Sequence, residues 1–188
     1  MCQKPQNVIV DNCAADRLAE PGVNPVTDFE DTEFRLTYTP DLQLEYERAL
    51  TASARTSQKA RTLIEQMLKA GSLIGFFGFG DGPCCGFGQG VWIGKDQSDM
   101  IASVKVENNA RGLPRKRTDA HLVALARDAI VITANTEESH WTRSPTGSGL
   151  AIQWRDLKNV LQHQPNLAVA IRHLLTVRRS AAAPAIPN

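Results

Sequence analysis

Short apolar runs the size of a buried strand alternate along this chain with segments whose apolar residues recur every three or four positions. "VIVDN" (8–12) leads into "CAADRLAE", "FRLTYT" (34–39) into "DLQLEYERAL", and "RTDAHLVALARD" into "IVI" (130–132). A run of consecutive apolar residues suits a strand buried on both faces, as in a parallel sheet covered by helices. The alternation predicts an α/β fold with a mainly parallel sheet.

The chain has 188 residues, 42% of them hydrophobic, enough for one compact core. The α/β domain is expected over 1–163, with a glycine- and aromatic-rich insertion around 75–99. Residues 164–188 are expected to form a C-terminal helix, "NLAVAIRHLLTVRR", and a disordered tail, "SAAAPAIPN". A net charge of +1 exerts no global pull on nucleic acid or membrane, so such affinity requires a local patch. The first residues lack the apolar core of a signal peptide, and no run has the length of a membrane span, which points to the cytoplasm. Cys2, Cys13, Cys84 and Cys85 contain no C-x-x-C pair, and the four histidines are dispersed. Reduced, buried thiols are expected rather than a zinc site.

Thr39 caps the expected helix over 41–50, with Pro40 at its first position. Leu42, Tyr46, Ala49 and Leu50 make its apolar stripe, which leaves Glu45 on the inner half, where an unpaired carboxylate is costly. "SQKARTLIEQMLKAG" (57–71) is the cleanest amphipathic helix, with Gly71 as its stop. Residues 21–34 read as irregular.

The glycine-rich stretch 75–94 contains no G-x-G-x-x-G, and Gly94-Lys95 lacks the remaining residues of a Walker loop. It reads as a flap or an aromatic surface. "RGLPRKR" carries Arg111, Arg115, Lys116 and Arg117, four cations in seven residues. It is either a solvated loop or a strip for RNA phosphates. Asp11 ends a strand, and Thr118 is placed to cap a helix that has Asp119 in its first turn, where the helix dipole favours an acid. Sites in parallel sheets form beyond the carboxyl ends of strands. Asp11, Glu45 and Asp119 gathered there repel one another unless a hard cation, Mg²⁺ or Mn²⁺, neutralises them.

These landmarks, in this order, resemble the PIN-domain family of metal-dependent ribonucleases, which includes bacterial toxin nucleases. "VIVDN" is similar to the opening strand with its first aspartate, and "TYTPDLQLEYERAL" to the glutamate-bearing segment. "RTDAHLVALARDAIVITAN" is similar to the aspartate-led helix and its following strand, and "GLAIQWRDLKNVL" to the closing strand and helix. The resemblance spans roughly residues 7–162 and implies a three-layer α/β/α sandwich. It implies Asp11, Glu45 and Asp119 as catalytic metal ligands for Mg²⁺ or Mn²⁺. Thr133, Asn135 and Glu137 would shape the site. Asn135 stands where the family often has a fourth aspartate, and Glu137 or Glu138 is near enough to substitute. Asn12-Cys13 replaces the usual hydroxyl residue after the first aspartate. The implied partners are RNA, an antitoxin-like inhibitory protein and a second copy of the chain. The alternatives are a non-catalytic PIN-like module binding RNA or protein, and a small phosphoester hydrolase using the same acids.

Overall fold

The computed structural model describes residues 5–51, 56–77, 90–92, 117–134 and 150–182. Its centre is a five-stranded sheet of β1 (Gln6–Val10), β2 (Phe34–Tyr38), β3 (Ser72–Leu73), β6 (Ile130–Thr133) and β7 (Ala151–Gln153). The order is β3-β2-β1-β6-β7, and every pairing is parallel. Helices flank the sheet, so the expected α/β class and mainly parallel sheet are what the chain adopts. Val8–Val10 and Ile130–Ile132 expose no surface, because β1 and β6 are central and covered on both faces.

The helices are α1 (Asn12–Ala19), α2 (Pro25–Asp28), α3 (Pro40–Thr51), α4 (Gln58–Ala70), α5 (Arg117–Leu125), α6 (Trp154–Leu161) and α7 (Leu167–Ala182). Thr39 caps α3 as expected: its Oγ1 accepts from the Leu42 amide at 3.1 Å. Ser57 does the same for α4, accepting from Ala60 at 3.1 Å. The short α2 lies inside the segment expected to be irregular. Asn24 Oδ1 accepts from the Val26 amide at 3.0 Å, and Pro25 fills the first helical position. β3 was not anticipated, since two residues carry no measurable period.

α7 shares the core of the sheet through Leu167, Ala168, Ala170, Ile171 and Leu175. Asn166 Oδ1 accepts from Val169 N at 3.0 Å, and Asp28 Oδ2 accepts from Leu167 N at 2.9 Å. The helix runs on through Ser180–Ala182, where a disordered tail was expected to begin. Alanine has the highest helix propensity, so two alanines extend the helix at little cost. Residues 183–188 lie outside the described part of the chain. Within the expected insertion, β4 (Gly75–Phe77) and β5 (Gly90–Trp92) pair parallel as a separate two-stranded ribbon. Residues 78–89 and 93–116 lie outside the described residues.

Candidate metal centre

The chain builds the sheet outward from β1 to β2 and β3, then returns to the other side of β1 to add β6 and β7. The direction of winding reverses between β1 and β6. Beyond the carboxyl ends of strands at such a reversal the connections part and leave a crevice. Asp11 follows β1, and Thr133 ends β6, so both stand at that point.

Asp11 occupies the N-cap of α1, yet its carboxylate makes no capping bond. Its Oδ2 accepts from the Thr133 hydroxyl at 2.7 Å and from the Cys13 thiol at 2.8 Å. The Asp11 amide donates to Ile132 O at 2.8 Å and extends the ladder by one residue. Asp11 is 6% exposed and Thr133 is fully buried, so the pair is held rigidly at the crevice floor. Cys13 is a free cysteine, exposed as a residue rather than buried as expected, with its sulfur turned toward Asp11. The Ala134 amide donates to that sulfur at 3.3 Å. Burial of the thiol, then the Asp11 charge and their hydrogen bond, push its pKa up to about 12. At neutral pH Cys13 is therefore a donor to the carboxylate and not a thiolate.

Glu45 reaches the crevice from α3, half-buried on the flank of the helix beside its core stripe. Its Oε1 accepts from the Thr118 hydroxyl at 2.6 Å. α5 begins at Arg117, so Thr118 lies inside the first turn and serves Glu45 instead of capping. A carboxylate is the stronger acceptor partner for a hydroxyl, whereas the first amides of a helix can turn to water. Asp119 follows in the first turn of α5, as expected, and is half-buried. Burial pushes the Glu45 carboxyl above the usual carboxylate range. The Thr118 bond pulls it back, the charges of Asp11 and Asp119 push it further up, and Arg48 opposes them.

Three further residues brace this arrangement: His121 and Asp41 were not picked out from the sequence, and Tyr46 was expected only as part of an apolar stripe. His121 Nδ1 stands 2.7 Å from Asp41 Oδ2, tying α5 to α3, with the side chains 12% and 15% exposed. Tyr46 donates its hydroxyl to the Val10 carbonyl, which pins α3 to β1 beneath the acids. Burial, with the Asp11 and Glu45 charges, holds its phenol well above the ordinary range. His121 and Asp41 lie two and four residues from Asp119 and Glu45, and that adjacency is the signal a reader of the sequence could have used.

Asn135, Glu137, Glu138, Arg111, Arg115 and Lys116 lie outside the described residues, and Arg117 is described only as the first residue of α5. Among the described residues no three Asp, Glu, His or Cys side chains stand as a ready-made metal cage. Glu45 nonetheless feels the charges of both Asp11 and Asp119, after the larger effects of its own burial and the Thr118 bond. The donors of all three are hard carboxylate oxygens, which fit Mg²⁺ or Mn²⁺, and such an ion would relieve the like-charge repulsion. No family model matches the chain, and no curated protein or solved structure matches it significantly.

Proposed function

We propose that this protein is a PIN-type, Mg²⁺- or Mn²⁺-dependent endoribonuclease, toxin-like and restrained in the cytoplasm by an antitoxin-like partner protein. The observation that carries the reading is that Glu45 on α3 feels the charges of Asp11, at the end of β1 where the sheet reverses its winding, and of Asp119 in the first turn of α5. Asp11, Glu45 and Asp119 would hold the cation. A metal ion bound there supplies charge stabilisation for a scissile phosphate and a lowered pKa for bound water. Thr133 and Cys13 hold the Asp11 carboxylate through side-chain bonds in place of a bond to the amides of α1. Thr118 orients Glu45, and the Asp41–His121 pair keeps α3 and α5 together. The strip of Arg111, Arg115, Lys116 and Arg117 would hold RNA phosphates without reading bases.

The test is cleavage of generic RNA by the purified protein with Mn²⁺, and its arrest by a chelator. Asp119→Asn keeps the helix dipole partner's shape and removes one ligand charge. Its cleavage rate is expected to fall at least a hundredfold with the melting temperature unchanged. Unaltered turnover in that variant would reduce Asp119 to a first-turn acid that only favours its helix.

A non-catalytic PIN-like module is the second reading. It is favoured by the uncharged Asn135 in place of a fourth acid and by the thiol already engaging Asp11. Asn135→Asp separates the two, since a working site gains Mn²⁺ affinity from the added charge and a degraded one gains no cleavage.

A further inference from the structure

A groove of about 520 Å³ opens on the flank of the molecule, within the range of small-ligand sites. α6 forms one wall, where Trp154, Lys158 and Leu161 fall at four- and three-residue steps along one stripe. The turn that follows α1, residues 20–23, forms the other. Chain connectivity relates both walls to the candidate metal centre, although residues 20–23 lie at the far end of α1 from Asp11. α1 starts directly after Asp11, and Trp154 directly after β7. Thr133, whose hydroxyl holds Asp11, is the strand partner of Gln153, the residue before Trp154.

The chemistry of the lining is specific. Trp154 is half-buried, packed in part against the core, and contributes an indole surface to the groove. Lys158 is exposed one helical turn away, roughly 6 Å along the axis, and is the cation of the lining. Of the two acids of the groove, Glu20 is offset by a cation, and Asp28 keeps its charge at the start of α7. Glu20 pairs with Arg17 at 3.4 Å, and Asp28 accepts from the Leu167 amide at 2.9 Å. Gln162 and Gln164 add uncharged donors and acceptors. An aromatic surface with a cation one turn away and amides at the rim suits a nucleobase with its phosphate. Such a base must be unpaired, because a stacked and paired base offers no face to an indole.

We propose that this groove takes an unpaired base of single-stranded RNA, stacked on Trp154 with the adjoining phosphate on Lys158. The proposal rests on the ribonuclease reading and deepens it by adding a base-binding subsite, on α6, separate from the three acids.

The probe is an eight-nucleotide single-stranded RNA carrying one 2-aminopurine, titrated in EDTA so that no metal-dependent cleavage intervenes. Trp154→Leu keeps an apolar side chain against the core and removes the aromatic face. It is expected to weaken binding about fivefold or more and to change the 2-aminopurine quenching. Lys158→Ala, at an exposed position, is expected to lower the salt slope by roughly 0.7 and serves as the test if Trp154→Leu folds poorly. A blunt duplex of the same sequence should be indifferent to both. If folded variants bind the single strand as the wild type does, the groove proposal is overturned, while Mn²⁺-dependent cleavage by the wild type still judges the ribonuclease reading. If the variants lose binding but the wild type cleaves nothing, the groove stands and the ribonuclease reading falls. A wild type that binds no single-stranded RNA in EDTA overturns the groove proposal, and its Mn²⁺-dependent cleavage judges the ribonuclease reading separately.

Discussion

An aspartate at a helix N-cap ordinarily accepts from the second or third amide of its helix, for about 1 kcal/mol. Asp11 forgoes this and accepts from Thr133 and Cys13 instead. Thr118 likewise gives up the expected cap for Glu45. Thr133 for Asp11 and Thr118 for Glu45 are partners far away in sequence, so local propensity could identify the residues but not their use. Glu45 leads to a pH prediction. Its carboxyl pKa is raised in the fold, so the stability tied to its protonated form is full below the ordinary glutamate pKa of 4.5 and is lost as pH rises through the elevated value. At neutral pH in EDTA, ionised Glu45 therefore destabilises the protein. Glu45→Gln keeps an oxygen to accept from Thr118 and removes the charge. Its melting temperature at pH 7 in EDTA is expected to exceed that of the wild type by about 2 °C, the gain vanishing below pH 4.5. Equal melting curves for variant and wild type at both pH values would mean that the fold does not raise the Glu45 carboxyl.

At the scale of elements, α4 ends where the sequence places a glycine stop, though for a different reason. A glycine after a helix usually adopts positive φ, whereas Gly71 has φ −74° and ψ 163°, extended backbone open to any residue. What requires glycine is space. A Cβ at this position would lie 2.7 Å from the Met67 carbonyl oxygen and 2.9 Å from the Tyr38 ring. Gly71 brings α4 tightly into β3, whose Leu73 pairs with Tyr38 of β2. Backbone oxygen cannot yield as a side-chain tip can, so Gly71→Ala is expected to cost about 1–3 kcal/mol in urea unfolding. A neutral result would show that the turn relaxes freely. β3 and α2 escaped the sequence because they are two and four residues long, too short for a hydrophobic period to develop.

Across the whole molecule, the bond from Thr133 to Asp11 joins residues 122 apart in sequence, and the bond from Thr118 to Glu45 joins residues 73 apart. The pairing of β1 with β6 makes the first two neighbours, and the packing of α5 on α3 the second two. A cation shared by Asp11, Glu45 and Asp119 binds only the folded chain, so it must raise stability by mass action. With Mn²⁺ at a hundred times its dissociation constant the gain is about 2.7 kcal/mol, or roughly 5–10 °C in melting temperature for a domain of this size. EDTA should reverse the shift, and Asp119→Asn should diminish it. Differential scanning fluorimetry reads this without any RNA. No Mn²⁺-dependent shift in the wild type would count against a metal centre whatever the cleavage assay gives.

Hydrophobic period and composition by themselves determined the α/β class, the parallel character of the sheet and the main helices. Those properties follow from which residues avoid water along a local stretch of chain, as Val8–Val10 and Ala60, Leu63, Ile64 and Met67 illustrate. The sequence also determined that Asp11 follows a strand and that Asp119 lies in the first turn of a helix, while Glu45, expected on the inner half, stands half-buried on the flank. Only the tertiary structure decided what these acids do to one another. Whether a carboxylate caps, pairs or accepts from a hydroxyl depends on distances between β1, α3, α5 and β6, and no local pattern encodes them. The Asp41–His121 pair and the groove between α6 and the end of α1 are of the same kind, set by packing between elements rather than by any one segment.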